Sequence, residues 1–97
     1  MSVKPGLTRN RRRERETPEY AGMVRRVIMA HGRRVGEADP EDLSELRDMR
    51  QVVEAAIAEG IRGQRARGAS WADIGRGLGI SRQAAYATWS WVDSLAS

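Results

Sequence analysis

Apolar residues recur along this chain at three- and four-residue spacing, the period of helices that bury one face. From Tyr20, the positions Met23, Val24, Val27, Ile28 and His31 trace one such stripe. Thr17-Pro18-Glu19 just ahead of it suits a helix start, because Thr can cap, Pro is tolerated at the first helical position and the acid meets the positive end of the dipole. The pattern predicts a helix over about 18–35, closed near Gly36, with Arg33 and Arg34 at its negative end. Asp39-Pro40-Glu41-Asp42 repeats the start signal and opens a long second helix over about 40–67. Its stripe is Leu43, Leu46, Met49, Val53, Ile57 and Ile61, with Val52 and Ala56 beside it, and Glu41, Asp42, Glu45 and Asp48 lie early while Arg62, Arg65 and Arg67 lie late. Gly68 is its natural stop.

Ser70-Trp71-Ala72-Asp73 is a capping box with Asp in place of Glu, and it predicts a short helix over 71–78. Gly79 breaks the chain, Ser81 caps again, and a fourth helix is predicted over about 82–95. No segment alternates with period two over a useful length, so no strand is expected. The fold class expected is therefore all-α: a small four-helix domain over residues 17–97 behind a short N-terminal segment.

Composition narrows the chemistry. In 97 residues there is no cysteine and one histidine, which removes disulfide scaffolds, thiolate metal sites and Cys nucleophiles, and leaves His chemistry resting on His31 alone. His31 continues an apolar stripe and is read as a packed or rim residue rather than a catalytic one. There is no Gly-rich phosphate loop with its Lys and no nucleophile–base pair, so no enzymatic activity, cofactor or metal is expected. No apolar run reaches the roughly 18–20 residues of a membrane span, and no secretory core is seen, so no membrane partner is expected and the address inferred is the cytoplasm.

The net charge of +4 sits wholly on residues 1–16, since the remainder balances eleven Arg against eleven acids. That opening is read as a disordered, flexible basic arm, with Arg9, Arg11, Arg12 and Arg13 as phosphate contacts; a solvated tail that serves only solubility is the plainer alternative.

The informative stretch runs from Ser70 through Trp91. Ile74 and Gly75 put an apolar and a small residue on one helix, Gly79 follows four residues after the small one, Leu78 and Ile80 flank the turn as apolar plugs, and Ser81 caps the next helix. In this respect residues 70–91 resemble the helix-turn-helix of bacterial transcription regulators, and the phrase as a whole looks like small proteins of that type from actinobacteria and their phages. Gly75, Gly77 and Ala85 are smaller than the family's usual residues.

The resemblance implies that residues 70–78 cross the DNA backbone while 81–91 lie in the major groove as the recognition helix. Ala85, Thr88, Trp89 and Val92 would be its buried side, leaving Ser81, Arg82, Gln83, Tyr86, Ala87 and Ser90 as base-contact candidates. Arg82 has the fork for guanine O6 and N7, and Gln83 matches adenine N6 and N7. Ser70, Arg76, Arg62, Arg65 and Arg67 are the phosphate candidates nearby. Against this, Arg82 and Gln83 are also what an ordinary exposed helix carries, Tyr86 can equally serve packing, and Trp71 and Trp89 sit on the buried stripe. Trp91 fits that stripe less well and suits a partner interface.

The function expected is sequence-specific binding of double-stranded DNA, as in a transcriptional regulator. A homodimer built on the long second helix would double the contacts of a nearly neutral motif, unless that helix's stripe is consumed within the chain. The alternative is an adaptor that uses the same scaffold to engage a transcription-machinery or phage protein, with a phage packaging or excision factor as a more distant reading.

Overall fold

The computed structural model describes residues 5–94, and the side chains of residues 17–94. Among these residues all regular structure is helical: α1 (Pro5–Val35), a single 3-10 turn (Pro40–Asp42), α2 (Leu43–Ala66), α3 (Trp71–Leu78), α4 (Arg82–Trp89) and α5 (Trp91–Ser94). No described helix is long and apolar enough to cross a membrane.

Backbone packing divides the chain into two compact units, Met1–Arg47 and Asp48–Ser97. In the first, α1 begins at Pro5 and contains Pro18, which corrects the helix start expected at Thr17-Pro18. The segment read as an arm is thus helical in its backbone from Pro5 onward. Its Arg and Glu residues are good helix formers, whereas Pro18 removes one N–H from the ladder and its ring crowds the carbonyl four residues back. The arm's remaining residues, 1–4, lie outside the described ones, as do the side chains of Arg9, Arg11, Arg12 and Arg13.

α1 ends where expected, at Val35, the buried residue of this unit among the described side chains. The apolar stripe ahead of it is open: Tyr20 is 65% exposed and Val27 60%, with Met23 and Val24 also exposed, and only Ile28 and His31 are half-buried. The expectation of a buried face on this helix is corrected accordingly. The 3-10 turn takes the place of the first helical turn expected at Pro40: the Asp42 N–H donates to the Asp39 carbonyl at 2.9 Å, and the Asp39 N–H to Asp42 Oδ2 at 3.2 Å.

The second unit holds the core. Ala58 and Ile61 from α2, Trp71 and Ile74 from α3, Ala85 from α4 and Val92 from α5 pack together, with Ile57, Ala69 and Trp89 partly buried against them. α2 closes as its sequence predicts: Gly68 is left-handed at φ 98°, the Ala69 N–H donates to the Gln64 carbonyl at 3.0 Å and the Gly68 N–H to that of Arg65 at 3.0 Å, a Schellman closure.

α4 is shorter than expected. It ends at Trp89, and the chain tightens at Ser90, where the Asp93 N–H donates to the Ser90 carbonyl three residues back at 3.1 Å before α5 carries on. Beyond the tightened turn Val92 is fully buried and Asp93 meets Arg65. The last predicted position, Leu95, lies outside the described residues.

Candidate nucleic-acid interface

The candidate site is built on α3, the turn at Gly79 and α4. Ser70 caps α3: its hydroxyl accepts from the Asp73 N–H at 3.1 Å, while the Ser70 N–H donates to Asp73 Oδ2 at 2.9 Å. The Ser70 N–H, followed by the Arg76 guanidinium and the Ser70 hydroxyl, holds the Asp73 carboxyl below the usual carboxylate range. α3 ends at Gly79, left-handed at φ 74°, with the Ile80 N–H reaching back to the Gly75 carbonyl at 2.9 Å and the Gly79 N–H to that of Arg76 at 3.3 Å.

This turn lies directly on Gly75. A Cβ at that position would come within 2.8 Å of the Ile80 carbonyl oxygen and 3.1 Å of the Ser81 carbonyl carbon and oxygen, so the close approach requires glycine. Ser81 then caps α4, its hydroxyl accepting from the Ala84 N–H at 3.0 Å. The two helix starts differ electrically. α3 carries Asp73 in its first turn, whereas the first turn of α4 holds no acid and begins with Arg82.

Ala85 faces inward and is fully buried, which leaves Ser81, Arg82, Gln83, Tyr86 and Ala87 exposed on α4 and Ser90 half-buried at its end. Three neighbours differ from expectation. Thr88 is exposed rather than buried, because the core closes over the α4–α5 end through Trp89 and Val92 instead. Leu78 and Ile80 are not sealed plugs: both are exposed, since the turn folds onto the bare Gly75 backbone rather than onto their side chains.

Tyr86 is held on one side and open on the other. Its ring meets Trp71 edge-on, centroids 5.8 Å apart at 88°, and yet the residue is 57% exposed. Trp71 is buried, as expected, and Trp89 half-buried; Trp91 is 49% exposed and lies 6.2 Å from Trp89, tilted by 32°.

The phosphate candidates divide by what already holds them. Arg65 is the most committed: Nε donates to Asp93 Oδ1 at 3.2 Å, one terminal nitrogen to Oδ2 at 3.0 Å and the other to the Ala69 carbonyl at 2.8 Å, and the guanidinium lies 4.7 Å from the centre of the Trp71 ring. The bond to Asp93 raises its pKa above the ordinary arginine value. It is a clamp between the end of α2 and α5, a role sequence reasoning missed because the partner lies 28 positions away. Arg62 pairs with Glu59 at 3.2 Å and Arg76 with Asp73, both pairs at the surface. Arg67 and Arg82 carry no ion pair among the described residues. Ser70 is engaged by its own helix, so its hydroxyl oxygen is not an idle group.

The second unit as a whole balances six arginines against five acids. α1, in contrast, carries nine arginines against three glutamates. Comparison with protein-family models, with curated proteins and with solved structures returns no match.

Proposed function

We propose that this chain binds double-stranded DNA sequence-specifically, as a transcriptional regulator, with α3 and α4 acting as a helix-turn-helix and α4 lying in the major groove. The observation that carries the proposal is the pairing of a tight glycine turn with an outward polar face: Gly75 and Gly79 let α4 start close against α3, while Arg82, Gln83, Tyr86 and Ala87 stay exposed on the side away from Ala85. Arg82 has no ion pair among the described residues and stands in an acid-free first turn, so its fork is available to a guanine edge. Gln83 beside it suits adenine, and Tyr86 is steadied by Trp71 with more than half its surface outward.

The nearly neutral second unit supplies little general attraction to a polyanion. Arg67 and the exchangeable surface pairs of Arg62 and Arg76 offer phosphate contacts, and α1 carries the excess of positive charge. Selection of bound duplexes from a random pool at fixed salt should return a defined site. On that site Arg82→Ala should cost about 1–3 kcal/mol and relax the preference at one base pair. Equal loss on every sequence would make Arg82 a phosphate contact, and failure to enrich any sequence would refute the proposal.

A second reading is favoured by one observation, the half-exposed Trp91 beside Trp89. An aromatic pair of this kind suits the centre of a protein interface, so the same scaffold could serve as an adaptor for a transcription-machinery protein. Trp91→Ala separates the two: it should leave DNA affinity unchanged under the first reading and abolish partner binding under the second.

A further inference from the structure

The open stripe of α1 is matched to itself. Tyr20, Met23, Val24, Val27, Ile28 and His31 follow one another at steps of three, one, three, one and three, a spacing that reads the same in both directions about the midpoint between Arg25 and Arg26. At about 100° per residue these six positions share one side of the helix, and Arg25 and Arg26 lie roughly 130° away from its centre. Four of the six are exposed, so an apolar strip two turns long faces outward from a unit in which Val35 is the buried residue among the described side chains.

We propose that this face of α1 pairs antiparallel with the same face of a second copy of the chain. A two-fold axis at the midpoint sets Val24 of one copy against Val27 of the other and Met23 against the half-buried Ile28, with Tyr20 over His31, whose Nε2 is already buried in its own chain, an isologous contact centred on Met23, Val24 and Val27. The flanking charges agree with this direction. Glu19 precedes the stripe and Arg34 follows it on the same flank, so antiparallel pairing brings Glu19 of each copy to Arg34 of the other, two opposite-charge pairs for one interface. Parallel pairing would stack Arg33 and Arg34 of one copy on those of its neighbour. A partner of different sequence would need neither the mirror spacing nor the balanced ends.

Size sets the strength. The four exposed side chains, open by 38% at Val24 to 65% at Tyr20, make a patch smaller than the ~800 Å² per partner of a standard interface. A patch of that size suits a reversible dimer, and the pairing uses α1 for its mirror spacing and charged flanks, features that do not depend on the exposed Leu43, Val52 and Val53 of α2. The pairing is independent of the DNA reading, and its test contains no DNA.

The test is sedimentation velocity of the full chain from about 5 to about 300 µM, with far-UV circular dichroism on each variant. The wild type should shift from monomer to dimer across that range. Val27→Glu should raise the dissociation constant by at least about tenfold, and Arg25→Ser, on the other side of the helix, should leave it unchanged. Glu19→Arg should weaken the dimer and Arg34→Glu added to it should restore the dimer, a rescue that decides the matter even if Val27→Glu loses helicity. A monomer at the highest concentration, or a dimer indifferent to Val27→Glu or to the charge exchange, overturns the proposal.

Discussion

Two glycine-to-alanine substitutions, two residues apart in α3, should move stability in opposite directions. In a helix interior alanine is favoured over glycine by about 1 kcal/mol, because glycine loses more backbone freedom on folding. At Gly77 nothing lies within 4 Å of a new Cβ, so Gly77→Ala should gain most of that amount. At Gly75 the new methyl would stand 2.8 Å from the Ile80 carbonyl oxygen and 3.1 Å from Ser81 backbone atoms. Those neighbours are main chain and cannot swing aside as a flexible side chain would.

The turn must then move off α3 by several tenths of an ångström, an overpacking cost of about 1–3 kcal/mol. The shift also stretches the 2.9 Å bond from the Ile80 N–H to the Gly75 carbonyl, a bond worth about 1 kcal/mol. Set against the propensity gain, Gly75→Ala should destabilise by about 1–2 kcal/mol. For a chain of this size each kcal/mol corresponds to roughly 4–8 °C in Tm. Thermal and urea unfolding of the full chain, followed at 222 nm, should therefore show Tm rising for Gly77→Ala and falling for Gly75→Ala. Equal rises at both positions would mean that the turn does not rest on Gly75, and the close α3–α4 approach argued above would fail with it.

Other outcomes follow from the same core and caps. Val92, fully buried, should cost about 2 kcal/mol when cut to alanine, two methyl groups plus the space they leave; a loss below about 0.5 kcal/mol in urea unfolding would put α5 outside the core. The folded-state pKa of Asp73 is lowered, so its contribution is present above the ordinary carboxylate range and is lost as the pH falls through that range to the lower folded value. The Tm difference between the wild type and Asp73→Ala should accordingly shrink between pH 6 and pH 3, and a constant difference would remove the charge from the cap's role. Asp93→Ala should release Arg65 from its clamp. If the freed guanidinium reaches a phosphate, the slope of log affinity for DNA against log salt steepens by about 0.9, and an unchanged slope places Arg65 away from the duplex.

The parts of the fold legible in the sequence are those decided within four or five residues. Ser70, Ser81, Gly68 and Gly79 act on the N–H and carbonyl groups of their own turns, and the bounds of α3 agree with those predicted from them. The start of α1 was hidden because Pro18 is a proper first-turn residue and only the helix-forming run before it argues otherwise. The tightening at Ser90 depends on where Val92 and Asp93 go, and that is fixed by α2, far away in sequence. Periodicity identified which residues share a face but not whether anything covers it: the stripe of α1 is open from Tyr20 to Val27, and that of α2 is packed only at its late end, through Ile57 and Ile61, while Leu43, Val52 and Val53 stand exposed. At the candidate site the outward residues of α4 were readable from register, whereas the commitment of Arg65 to Asp93 and the exposure of Thr88 required the tertiary packing.

The division between Gly75 and the outer side of α4 has an evolutionary consequence. What fixes the path of the backbone there is missing a side chain, as at positions 75 and 79, hidden beneath, as at Ala85, or held in a cap, as at Ser81. Arg82, Gln83 and Ala87 can therefore drift or be randomised with little penalty to folding, while at Tyr86, tied to Trp71, and at Ser81, which caps the helix, a change of preference is coupled to a change of scaffold.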